Sequence, residues 1–179
     1  MSTMRLLEQL QIHPIWPAYV VDDGDDDTVA TGDYVSLKDY ESVVVLIAFG
    51  DGSATTGDIT AKVYQATDTA NSLSDAKALN VLETGRIWRK YHASDLSAVG
   101  AWTQITQATA DEVYDADDSG EGLGLIALEI HASDLDVDGG FTAIRVDLDT
   151  ISSAKLVCGL YILGNPKLSA APALMPSAL

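Results

Sequence analysis

The chain has 179 residues, 47% of them hydrophobic and 21% charged, and its 10 basic residues against 27 acidic ones give a formal charge of −17. A chain this long builds one full core, burying about 70% of its unfolded surface, and it holds no run of about 18 apolar residues of the kind that spans a bilayer as a helix. A surface of that sign repels phosphate backbones, which are bound through Lys and Arg; neither nucleic acid nor a membrane is expected as a partner.

The N-terminal stretch "MSTMRLLEQLQIHPIW" carries Arg5, Glu8 and His13 where a secretory signal needs an apolar core, so synthesis in the cytoplasm is expected. Residues 1–17 read as an N-terminal arm, because the prolines of "HPIWP" fix φ and supply no ladder hydrogen bonds. Ile12, Ile15 and Trp16 on that arm need burial. Two readings weigh equally: the arm folds back on its own domain, or it reaches a neighbouring subunit as an interface.

"VVDDGDDDTVATGDY" is a solvated acidic turn. "SVVVLIAFG" has strand length and β-branched content, and its unbroken apolarity predicts a central strand covered on both faces. "DITAKVYQA" alternates, with Ile59, Ala61 and Val63 on one face and Thr60, Lys62 and Tyr64 on a wet one. "TDTANSLSDAKALNVLETG" fits either a short capped helix or a hairpin tip with a return strand. "RIWRKYH", "AWTQIT", "GLIALEIH", "FTAIRVDL" and "SAKLVCGLYILG" are five further short, β-rich runs separated by Gly, Asp or Ser clusters. The lone cysteine, Cys158, reads as a small buried hydrophobe within the last of them, and no intrachain disulfide is possible. The prolines of "NPKLSAAPALMPSAL" make residues 166–179 an extended C-terminal arm. The fold class is therefore all-β: an antiparallel β-sandwich or jelly-roll-like domain over residues 18–165, with an arm at each end.

One phrase occurs twice. HASDL stands at His92–Leu96 and at His131–Leu135, inside a pattern that fits both Gly85–Gly100 and Gly124–Gly139. A catalytic reading needs side chains aimed at one another. In an extended strand His92 and Ser94 share a face while Asp95 points away, and the G-x-S-x-G and H-E-x-x-H motifs do not occur. The phrase reads as a strand exit, with Ser and Asp bonding backbone N–H groups and Leu96 or Leu135 returning to the core. No catalytic residue and no cofactor is assigned, and the chain is not expected to be an enzyme.

The opening of a calcium loop is present in "DLDVDG", where Asp134, Asp136 and Asp138 alternate before a glycine. An EF-hand closes its ligand set with Glu at the twelfth position. That position is Arg145 here, and for the similar "DADDSG" at Asp115–Gly120 it is Ile126, so these are weak candidates and a solvated turn is the preferred reading. Trp16, Trp88 and Trp102 raise a carbohydrate- or receptor-binding module as an alternative, although core or interface packing is the usual fate of tryptophan.

The last third resembles a group of small structural proteins from the heads of tailed bacteriophages. It carries "ASDLD" at Ala132–Asp136, Phe141, then Ile144, Arg145 and Val146, and a closing "GLYILGNP" at Gly159–Pro166. The middle stretch "YESVVVLIAFGDGSATTGDITAKVYQATDTANSLSDAKAL" resembles the same group. The resemblance implies a β-rich decoration (cement) or minor capsid protein on the outside of the shell. Its partners would be the major capsid protein and further copies of itself, with a trimer as the first guess. Contacts would come from Ile12, Ile15, Trp16, Leu168 and Leu174 on the arms. A head–tail junction or tail component is the alternative within the virion.

Overall fold

The computed structural model of the chain describes residues 10–16, 19–21, 31–51, 59–70, 75–92, 100–116, 123–149 and 155–167. Its elements are β1 (Leu10–Pro14), β2 (Tyr19–Val21), β3 (Val35–Ser36), β4 (Tyr40–Asp51), β5 (Ile59–Ala66), β6 (Lys77–Ala78), β7 (Ile87–His92), β8 (Thr103–Gln104), β9 (Val113–Ala116), β10 (Leu123–His131), β11 (Ala143–Asp149) and β12 (Lys155–Pro166). Among the described residues a 3-10 turn covers Ala132–Asp134. All pairings among the described residues are antiparallel. A seven-stranded sheet runs β1-β12-β4-β10-β7-β8 with β2 also on β12, and a five-stranded sheet runs β3-β11-β5-β6 with β9 also on β5.

The two sheets pack face to face, as expected of an all-β sandwich. Strand alternation places Val43, Val45 and Ile47 of β4 and Ile126, Leu128 and Ile130 of β10 on the inner side of one sheet. They share a core with Ile59, Ala61 and Val63 of β5 and Ile144, Val146 and Leu148 of β11. The segment left open between helix and hairpin resolves as a return strand, since Lys77 and Ala78 pair with Gln65 and Tyr64. Leu79, Val81 and Leu82 beyond it drop into the core.

Tyr161 links the sheets. Its hydroxyl accepts from Val146 N at 2.9 Å and donates to Asp33 O at 3.1 Å. Burial holds the phenol protonated far above the ordinary tyrosine range, as its donor role requires. On the outside of the smaller sheet, residues 32–34 roof a buried ion pair: Arg145 reaches Asp147 at 2.8 Å, and Asp147 accepts from Gly32 N at 3.0 Å. The Arg145 guanidinium lies between the Tyr34 and Tyr64 rings, 5.0 and 5.1 Å from their centroids.

Three expectations are corrected here. The N-terminal segment is not an arm from residue 10 onward. Leu10–Pro14 pairs with Leu160–Gly164, and Ile15 and Trp16 are 0% and 2% exposed in the chain's own core. Pro14 is tolerated because it ends a strand at a sheet edge, where a missing N–H leaves no ladder bond unmade. Gly159 makes the seat: a Cβ there would stand 2.8 Å from the Trp16 ring and 2.9 Å from Ile15. Second, β4 is central, but among the described residues nothing covers its second face, where Ser42, Val44, Leu46, Ala48 and Gly50 are half-buried. Third, Cys158 sits on that same uncovered side and is half-buried. Residues 168–179, with Leu168 and Leu174, lie outside the described residues, and β12 itself continues to Pro166.

Candidate functional site

A strand with one wet face alternates hydrophobic-in and polar-out, and β5 does so, setting half-buried Thr60, Lys62 and Tyr64 opposite its core residues. The long strands of the seven-stranded sheet do not. Their outward positions include Val44, Leu46 and Ala48 on β4, Leu125, Ala127 and Glu129 on β10, and Cys158, Leu160 and Ile162 on β12, all half-buried, with Ser42 and His131 paired at the end of the face. Register aligns them in rows. One row runs Pro14, Leu160, Leu46, Ala127, Trp88, and the next runs Ile12, Ile162, Val44, Glu129.

Two tryptophans close the β7–β8 side. Trp88 pairs with Gln104 across the strands, and the Lys90 ammonium stands 6.0 Å from the centroid of the Trp102 ring, so both indoles belong to the outer face. Ile12, Trp88 and Trp102 are 47%, 36% and 43% exposed. With strands about 4.8 Å apart and residues rising about 3.4 Å, the patch covers about 500 Å². Apolar patches of that size on a monomer are often functional. Glu129 is the one carboxylate among the described outward residues of these strands, with the His131 ring 3.3 Å away, while Lys90 stands opposite Leu125.

The other sequence candidates are placed elsewhere. Asp134 receives the Arg86 guanidinium on both oxygens, at 2.5 and 3.1 Å, and also the His131 backbone N–H at 2.7 Å. Asp136 takes the Lys77 ammonium at 2.5 Å and the Gly139 N–H at 3.0 Å, which hold its carboxyl below the usual carboxylate range. Asp138 is exposed. The three alternating aspartates thus do not converge: two are engaged by different cations, and among the described residues no group of three possible metal ligands forms.

The second HASDL is the strand exit its sequence suggests, with Asp134 bonding the backbone at the corner and Leu135 buried at 5% exposure. His131 lies 3.3 Å from Glu129, whereas Ser133 is exposed. His131 and Ser133 line a cleft of about 450 Å³ with Glu41, Val137 and Lys167, but no hydrogen bond joins them among the described residues. In the first copy, His92 ends β7 opposite Leu123, and residues 93–99 lie outside the described residues. Of the assigned interface residues, only Ile12 belongs to the outer face; Ile15 and Trp16 are core.

Sequence reasoning missed Leu46, Leu160 and Ile162 as surface residues. The available signal was the loss of alternation in β4, β10 and β12. Unbroken apolarity looks the same whether the second face is covered by the same chain or by another molecule.

No protein-family model and no curated protein matches the chain. Among solved structures, it is similar to a chain of the infectious bursal disease virus Gt strain at 15% identity and a TM-score of 0.27, over 89% of this chain and 41% of that one. A chain of the T=1 particles derived from infectious bursal virus gives 13% identity and a TM-score of 0.27, over 93% and 42%. A chain of the Gx strain gives 12% identity and a TM-score of 0.23, over 88% and 42%. The chain therefore spans about two fifths of their length. Likeness at that level is too slight to bear on fold or function.

Proposed function

We propose that this is a structural, non-enzymatic protein of a virus particle, placed on the outside of a tailed-phage head as a decoration (cement) protein that braces the shell. The carrying observation is the outer face of the seven-stranded sheet, whose apolar rows run from Ile12 through Ile162, Leu160, Val44, Leu46 and Ala127 to Trp88. A face of this kind leaves apolar surface in water until assembly covers it. The phage-like order of Ala132–Asp136, Phe141, Ile144–Val146 and Gly159–Pro166 supports the same reading. A charge of −17 suits the exterior of a DNA-filled shell better than its lining.

The test is occupancy on particles. Heads stripped of the protein, or assembled without it, are incubated with the purified full chain, pelleted, and imaged with and without it. Decoration gives hundreds of copies over the shell, and Leu46→Glu lowers that occupancy sharply. Tens of copies at one vertex transfer the protein to the head–tail junction, and no binding at all overturns the virion role. Binding of the isolated chain to glycans, lost with Trp88→Ala or Trp102→Ala, favours the carbohydrate-binding alternative.

A further inference from the structure

We infer that the outer face of the seven-stranded sheet binds a second copy of this chain, sheet against sheet, about a two-fold axis. This rests on the reading that the face is an assembly surface, and it names the occupant.

Charge is the first argument. The chain carries 27 acidic residues against 10 basic ones, so identical molecules repel wherever their acidic surfaces meet. The described outward positions of β1, β4, β7, β10 and β12 hold one carboxylate, Glu129, and one ammonium, Lys90, with His131 at 3.3 Å from Glu129. Here two copies can meet without opposing like charges. The same composition argues against a basic partner on this face, because among the described residues it offers only the Glu129 carboxylate to attract one.

Shape and area are the second. A sheet face stacks on another at about 10 Å, with side chains interdigitating. Two patches of about 500 Å² remove about 1,000 Å² from water, the threshold for a specific interface. The exposed indoles of Trp88 and Trp102 supply anchors of the type that dominates binding energy. A surface that meets its own copy closes as an isologous pair, so the assembly has an even number of chains and not the three first guessed from the resemblance.

The experiment uses the full chain in analytical ultracentrifugation from low to high micromolar concentration, at about 0.05 M and about 1 M salt. A dimer is expected, tightening as salt screens the charge of −17. Leu46→Glu and Leu160→Glu should each weaken it at least a hundredfold, and Trp88→Ala about thirtyfold. Lys62→Glu, on the outside of the other sheet, should leave it unchanged.

The variants replace half-buried outward residues, so circular dichroism should show them folded. Alkylation of Cys158 in the unaltered chain gives a reading free of substitution: the thiol lies on this face and should react more slowly as concentration rises. A wild-type chain that stays monomeric, with Cys158 equally reactive at every concentration, overturns the inference. So does a dimer indifferent to both glutamates. If the chain is monomeric but Leu46→Glu still abolishes occupancy on particles, the virion role stands and the shell protein covers the face. If the dimer forms as described but nothing binds particles, the self-interface stands and the virion role falls.

Discussion

Removing residues 1–17 should unfold the domain, and the reason lies in two side chains. Ile15 and Trp16 are 0% and 2% exposed, packed onto Gly159 at the distances where a Cβ would collide with them. Truncating a buried tryptophan to alanine costs about 3–5 kcal/mol and a buried isoleucine about 2–5. Together they approach the whole stability of an ordinary domain, about 5–15 kcal/mol. The deletion also removes the pairing of Leu10–Pro14 along β12 and the bond from Asp33 N to Ile15 O at 2.9 Å. Guanidinium unfolding followed by far-UV circular dichroism measures this directly. Trp16→Ala should lose about 3–5 kcal/mol and melt about 10 °C lower. Trp16→Phe should lose less than half as much, because the buried indole Nε1 has no hydrogen-bond partner among the described residues and its removal relieves a desolvation cost. A deletion variant that unfolds within about 1 kcal/mol of the full chain would refute the assignment of this segment to the core.

Three further outcomes follow from the corner and the glycine seat. Asp134→Ala strips Arg86 of a bidentate partner and leaves the His131 N–H without its acceptor. A loss of about 2–3 kcal/mol in urea unfolding is expected, and a loss near zero would deny the corner its structural role. Lys77 and Gly139 N–H hold Asp136 below the usual carboxylate range in the folded state, so its contribution is complete above about pH 4 and disappears as pH falls through the lower folded value. Asp136→Asn should flatten that acid limb in melts taken between about pH 7 and 2, lowering the neutral melt slightly because the pair is exposed, and meeting wild type at the acid end. Gly159→Val should destabilise as severely as Trp16→Ala, since its branched carbons enter space held by Trp16 and Ile15; a melt within about 2 °C of wild type would place those side chains elsewhere.

How far the sequence could be read depended on whether polarity marked both sides of a segment. β5 was plain, because Lys62 and Tyr64 interrupt its apolar side at every second residue. β4, β10, β11 and β12 were visible as strands, but for β4 apolarity without alternation could not say what lay against the second side. β1 was hidden by the prolines of "HPIWP", since only register shows that Pro14 stands opposite Leu160 at the end of an edge strand. β2, β3 and β9 have three, two and four residues, too short for any periodicity to register. The corner at His131–Leu135 was legible because an Asx-type bond is local. Its ion pair was not, because Arg86 and Asp134 are 48 residues apart.

Selection for folding alone does not account for Leu46, Leu160 and Ile162 standing outward. Polar residues at those positions would leave the inner core of Val45, Ile47 and Tyr161 untouched, and outward apolar rows invite non-specific association. The sheet limits that hazard at its edges: β8 has two residues, β2 three and β1 five, ending in Pro14. Short or proline-bearing edges offer little ladder for another strand to extend, so growth by edge pairing into open fibres is blunted. What remains available is stacking on the face, which stops when both faces are covered. Apolar rows on the face and abbreviated strands at the rim therefore act together, favouring a closed pair over an open polymer.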